Sequence, residues 1–158
     1  MNLNELRDKA YRNAVTHGFH DEELSNEHCL CLVISELMEA VKADRKGRFA
    51  KVPVDKKGTI FDERTFHYQN KYFAENFETY IKDCVEDELA DACIRLLDLA
   101  GLRNISIDDF SGEMIYEATE SCNNETFTES IYAISTIPIR CEYEYDSLLE
   151  NQLNSMLL

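Results

Sequence analysis

Two short stretches, Ile34-Ser35-Glu36-Leu37-Met38-Glu39-Ala40 and Glu88-Leu89-Ala90-Asp91, restrict what this chain can become more than any other feature. Each places two carboxylates three residues apart, which on an α-helix lie on one face about one turn apart. Both acid pairs interrupt apolar runs. Cys31, Leu32, Val33, Ile34, Leu37 and Met38 surround the first, and Leu89, Ala90, Ala92, Cys93 and Ile94 surround the second. A carboxylate on such a helix must reach solvent, a counter-charge or a metal, because an isolated buried charge is too costly to keep. Two facing pairs would gather about four negative charges within a few ångströms, a site for a hard divalent cation. Oxygen-only ligands favour Mg²⁺ or Mn²⁺ over zinc, which prefers imidazole and thiolate.

The rest of the chain suits long helices. Its 158 residues include five Gly, two Pro and no Trp, so breakers are few and connections should be short. One domain's worth of chain that is 44% hydrophobic and 30% charged reads as a folded, soluble protein with a real core. A net charge of −15 argues against nucleic acid as a partner, leaving a small anion reached through metal ions or a local basic patch. No leader pattern opens the sequence and no apolar run approaches the ~18 residues of a membrane span, so a cytoplasmic protein without membrane contact is expected. In that setting the six cysteines (29, 31, 84, 93, 122 and 141) are expected as buried free thiols. Cys29 and Cys31, two apart on a helix, diverge, which disfavours zinc.

In chain order, Asn2 with Glu5 resembles a capping box, and Leu3, Leu6, Ala10, Tyr11 and Ala14 form a helical stripe that stops at Gly18. A second helix is expected from about Asn26 to Lys46, apolar over more than half its circumference and so central in a bundle. The window 42–57 then holds seven basic residues (Lys42, Arg45, Lys46, Arg48, Lys51, Lys56 and Lys57) against Asp44 and Asp55. Gly47, Pro53 and Gly58 make it a loop or short hairpin, able to reach over an acidic site toward phosphate oxygens. The aromatic segment from Phe61 to Tyr80 is expected to build core or a subunit contact. A third helix is predicted from about Phe77 to Leu99, ending at Gly101, with Glu88, Asp91, Arg95 and Asp98 as one polar seam. Beyond it, eleven acidic residues face only Arg103 and Arg140, and helical patterns recur at Phe110–Ser121, at Phe127–Ile137 with Pro138 as a stop, and from Tyr145 onward. Glu150-Asn151-Gln152-Leu153-Asn154-Ser155 echoes Glu86-Asp87-Glu88-Leu89-Ala90-Asp91 without its site acids, as a degenerate second helix pair would. The open apolar end Met156-Leu157-Leu158 suits a subunit interface or a longer parent chain.

Glu36-x-x-Glu39 followed by Glu88-x-x-Asp91, with Ala43-Asp44-Arg45 after the first and Ala92-Cys93-Ile94-Arg95-Leu96-Leu97-Asp98-Leu99-Ala100 after the second, resembles the MazG-like, all-α nucleoside triphosphate pyrophosphohydrolases. The resemblance runs from about Asn2 to Gly101. It implies an all-α helical bundle forming a single domain over 1–158, with the motif helices in 1–101 and additional helices in 102–158. It implies Mg²⁺ or Mn²⁺ on Glu36, Glu39, Glu88 and Asp91, with Glu36 and Glu39 catalytic. Lys42, Arg45, Lys46, Arg95 and Asp98 would bind a nucleoside triphosphate that is split into monophosphate and pyrophosphate, a nucleotide-pool sanitising reaction. A homodimer or homotetramer follows from the same likeness. Two features depart from the family: Ser35 stands where some members carry a further Glu as base, and 48 residues, 40 through 87, separate Glu39 from Glu88.

Two rival classes compete with this reading. A di-iron carboxylate bundle needs Glu-x-x-His. The residues three before the histidines at 17, 20, 28 and 67 are Ala14, His17, Ser25 and Arg64, so that motif does not occur. The histidines are instead expected at the surface or as caps, with lining of a base pocket by His17 or His28 as the alternative. The other rival is a non-catalytic helical module that binds nucleotide or protein, with the acid pairs on solvated faces.

Overall fold

The computed structural model describes residues 2–55, 58–59, 71–107, 110–120, 125–139 and 146–157. Within them the chain is all-helical apart from one minimal hairpin. The helices are α1 (Leu3–Thr16), α2 (Asn26–Arg45), α3 (Lys71–Tyr80), α4 (Val85–Leu102), α5 (Gly112–Glu120), α6 (Phe127–Ile139) and α7 (Asp146–Leu157). Between α2 and α3, strands β1 (Val54–Asp55) and β2 (Gly58–Thr59) pair antiparallel, Val54 opposite Thr59 and Asp55 opposite Gly58. The hairpin expected in the basic window is therefore present, followed by an extra helix.

Local chemistry sets the first two helices. The Asn2 side chain accepts from the backbone N–H groups of Asn4 and Glu5 at 3.0 and 3.2 Å, satisfying donors at the open end of α1. His17 caps the other end, and Gly18 takes the left-handed φ of 77° that the turn needs. Ser25 caps α2 by accepting from the His28 N–H, and Gly47, with φ 64°, follows its C-cap Lys46. These ends fall where the sequence places them.

α2 and α4 pack along one another at the centre, α1 lies on α4, α6 on α2, and α7 on both α4 and α6. The core stripe of α2 is Leu30, Val33, Leu37 and Ala40; that of α4 is Ala92, Leu96, Leu99 and Ala100. α6 and α7 close the core with Ile131, Leu149, Leu153 and Met156. Each buried Val, Leu, Ile or Met among them contributes about 1.5–3 kcal/mol. α5 packs on no other described element and buries none of its residues.

Three helix limits differ from the expectation. The predicted helix Phe77–Leu99 is two helices, α3 and α4, separated by a turn at 81–84. Asp83 adopts φ 54°, incompatible with helix, and its N–H is taken by the Asp87 carboxylate at 2.9 Å. Gly101 does not end α4, which runs on to Leu102, with Arg103 as C-cap and Asn104 at φ 53°. The glycine serves α1 instead: a Cβ there would lie 2.5 Å from the Tyr11 Cβ, so its hydrogen lets the two helices approach. Pro138 does not stop α6, which includes Ile139: only one helical residue follows it, so the i→i−4 bond that a proline cannot make is lost at the very end of the helix and not in its body.

After α4 the chain is held against α1 by polar side chains. Asn4 donates to the Ile107 carbonyl and accepts from the Ile107 N–H, each at 3.0 Å, while Arg7 donates to the Ile105 carbonyl at 2.7 Å. Ile105 and Ile107 are thereby seated in the core. Among the described cysteines only Cys84 is buried; Cys29 is half-buried and Cys31 and Cys93 are exposed, all as free thiols. The expectation of buried thiols thus fails for α2 and α4, whose outer faces carry Cys31 and Cys93, and for Cys122 and Cys141 it lies outside the described residues. Phe61, Phe66 and Tyr68 also lie outside them, while Phe73 and Phe77 stack at 6.2 Å on α3. No described helix is long and apolar enough to cross a membrane.

Candidate metal and phosphate site

Glu88 lies four residues before Ala92 and eight before Leu96, on the face α4 turns toward the core, and it is only 6% exposed. Glu36, just before core residue Leu37 on α2, and Asp91, at the solvent edge of α4, complete a cluster. One carboxylate oxygen from each of Glu36, Glu88 and Asp91 can be chosen so that all three lie within 4.8 Å of one another. An ion with oxygen ligands at about 2.1–2.5 Å spans oxygen pairs up to roughly 5 Å apart, so the three can share one cation.

The electrostatics fit that group. Burial, then the nearby carboxylates of Glu39, Asp87, Glu36 and Asp91, push the Glu88 carboxyl up to about 7. Partial loss of solvent, followed by Asp87 and Glu36, raises Asp91 as well, against a lowering by Arg95. No donor among the described residues reaches the Glu88 carboxyl. A buried acid crowded by like charge is short of positive charge, and a divalent ion on these hard oxygens would supply it.

Glu39 departs from the expected set of four. It is exposed and outside the tight cluster, yet it is the first of the charges acting on Glu88 and lines the same cavity. Rotation of α2 decides this: Glu39 precedes fully buried Ala40 and leans to the rim. Asp87, a residue the i, i+3 pattern skips, acts on both Glu88 and Asp91, and the run Glu86-Asp87-Glu88 in the first turn of α4 was a visible signal of it.

On one side of the cluster a cavity of about 140 Å³ is lined by Glu39, Glu88, Lys42, Lys46, Arg48 and Asp83, among others. Lys42 and Lys46 therefore sit beside the acids, as the basic window suggested, joined by Arg48. Arg45 is exposed on the last turn of α2 and does not line this cavity. On the other side, Arg95 donates from Nε to Glu36 Oε1 at 3.1 Å, and its guanidinium lies 6.0 Å from the centre of the Phe19 ring. Two adjoining cavities of about 180 and 200 Å³ share Phe19, Arg95 and Asp98, the first bordered by Asp91 and the second by Leu24, His28, Cys29 and Leu32.

Asp98 does not stand free there. His20 Nε2 donates to its Oδ1 at 2.8 Å, with side chains only 10% and 17% exposed. His20 Nδ1 is buried without a partner, and the Tyr11 ring lies 5.4 Å away. His20 is accordingly neither a cap nor a surface residue, unlike exposed His17 and His28; the turn after Gly18 folds it inward, which no helical periodicity could signal.

No family model matches this chain, and no curated protein or solved structure matches it either.

Proposed function

We propose that the chain is a Mg²⁺- or Mn²⁺-dependent nucleoside triphosphate pyrophosphohydrolase of the MazG-like, all-α type, splitting a ribo- or deoxyribonucleoside triphosphate into monophosphate and pyrophosphate. The observation that carries the reading is the meeting of Glu36, Glu88 and Asp91 from two helices within 4.8 Å, beside a lysine-and-arginine-lined cavity. Glu36, Glu88 and Asp91 would hold the ion. When bound, such an ion neutralises phosphate oxygens and acidifies a water.

The chain's own groups supply the rest. Glu39, at the rim and next to Ser35's turn of helix, takes the proton of the water that attacks the α-phosphorus. As that bond forms, the α–β anhydride bond breaks and pyrophosphate leaves against Lys42, Lys46 and Arg48, whose charges match its oxygens. Phe19 and Arg95 bound the space for the nucleoside, and Asp98 acts there by fixing His20. A cytoplasmic homodimer or homotetramer that sanitises nucleotide pools belongs to the same proposal; Met38 and Ile94, 44% and 49% exposed beside the acid pairs, are apolar surface it would cover.

The test is a panel of nucleoside triphosphates with Mg²⁺ and detection of released pyrophosphate. Glu39→Gln and Asp91→Asn are each expected to remove nearly all turnover while the helical content stays unchanged. Full turnover in both variants would overturn the assignment of ligands and base. Absence of any rise in melting temperature with Mg²⁺, Mn²⁺ or triphosphate would favour the non-catalytic module instead.

A further inference from the structure

The cavity beside Glu88 continues into a larger one of about 370 Å³. Lys46 and Arg48 border both, and the second is further walled by Phe49, Lys51, Tyr80 and Lys82, among others. Its lining carries four cations, Lys46, Arg48, Lys51 and Lys82, against the single carboxylate of Glu78, in a chain whose net charge is −15. Lys82 pairs with Glu78 at 2.9 Å and Arg48 with Asp83 at 3.4 Å, but neither Lys46 nor Lys51 has an ion-pair partner among the described residues.

This basic wall is a built structure. The Val85 N–H donates to the Arg48 carbonyl at 3.0 Å and the Lys51 N–H to the Tyr80 carbonyl at 3.2 Å. The Ala50 N–H donates to Glu86 Oε2 at 2.9 Å, and Arg48 Nη2 to the Lys82 carbonyl at 3.3 Å. Segments 48–51 and 80–86 are thereby laced together, and Phe49 is held 48% exposed at the wall instead of joining the core.

A triphosphate cut between α and β at the acid cluster places its two distal phosphates against Lys42, Lys46 and Arg48. Lys51 and Lys82 then have no phosphate oxygen left to meet. We infer that the cradle of Lys46, Arg48, Lys51 and Lys82 takes the distal part of a phosphate chain longer than three phosphates, so that nucleoside tetraphosphates and dinucleoside polyphosphates are the preferred substrates. Water adds to the α-phosphorus, the α–β anhydride bond breaks, and the leaving group is tripolyphosphate or, from a dinucleoside tetraphosphate, a nucleoside triphosphate. Phe49 offers the second base a plane to stack on. The inference rests on the acid cluster being the point of cleavage.

The experiment compares kcat/KM for a nucleoside 5′-tetraphosphate and the triphosphate of the same base. The wild type is expected to favour the tetraphosphate by about tenfold, the scale of one charge-assisted contact. The double variant Lys51→Glu/Lys82→Glu should lose that preference and keep its triphosphate turnover. Equal kcat/KM values in the wild type, or an undiminished preference in the double variant, would overturn the inference. Phe49→Ala distinguishes the two substrate forms: it should weaken turnover of the dinucleoside tetraphosphate alone if the second base stacks there. A separate arm keeps the cradle testable should no nucleotide be cleaved at all. Calorimetry with inorganic tetrapolyphosphate in chelator should show binding to Glu88→Gln that disappears when the Lys51 and Lys82 reversals are added; absent binding, or binding indifferent to them, refutes the cradle itself.

Discussion

Glu88→Gln tests the electrostatic account of the site without any assumption about catalysis. The wild-type carboxyl ionises near pH 7 in the folded, metal-free protein and near its ordinary 4.5 when unfolded. Because the folded value is raised, the native state holds a proton between those values that the unfolded chain has lost, so stability falls as pH rises through the window and levels off above about 7. The whole shift corresponds to about 3 kcal/mol, of which roughly 2–3 kcal/mol lies between pH 5 and pH 8. Glutamine keeps the shape and removes the ionisation. In urea unfolding with chelator present, the wild type should lose that amount from pH 5 to pH 8, whereas Glu88→Gln should change less by about that margin and be the stabler protein at pH 8. The other titrating groups are common to both proteins, so the difference isolates Glu88. Saturating Mg²⁺ should restore wild-type stability at pH 8 and leave Glu88→Gln largely unmoved, since the ion takes the place of the proton. Equal pH dependence in the two proteins would refute the claim that burial and like charge crowd this carboxyl.

Further outcomes follow from the packing. Asp91→Asn should raise stability modestly at pH 8 in chelator, since Asp91 also carries an upward shift, and the gain should vanish with Mg²⁺; thermal denaturation reads both. Gly101→Ala forces a methyl against Tyr11 Cβ, an atom on a helix that cannot swing away, and should cost about 1–3 kcal/mol in chemical unfolding. Asp98→Ala leaves His20 with neither ring nitrogen paired and should cost roughly 1–3 kcal/mol by the same measurement. Leu99→Ala, at a position 1% exposed between the packed helices, should cost about 2–5 kcal/mol.

The limits of α1 were legible because caps and glycines act within one turn of chain: Asn2 and Gly18 each do locally what their residue type allows, while those of α2 followed from where its apolar pattern starts and ends, with Ser25 as its cap and Gly47 just beyond it. Gly101 and Pro138 misled for the same reason, since the first answers to Tyr11 on another helix and the second to where α6 happens to end. The break at Asp83 escaped the periodicity of Phe77–Leu99 because it is held by partners far along the chain, Arg48 and Lys51, that lace segment 48–51 to segment 80–86.

That two acid pairs ride on central helices could be read from the residues alone, since the three-residue spacing and the apolar neighbours are properties of each helix on its own. Helix packing, by contrast, settles that Glu36, Glu88 and Asp91 converge while Glu39 stands at the rim, that Asp87 joins the field, and that His20 claims Asp98. Those outcomes depend on how far each helix is rotated and how closely it approaches its neighbour, which the side chains packed between them set jointly and no single stretch encodes.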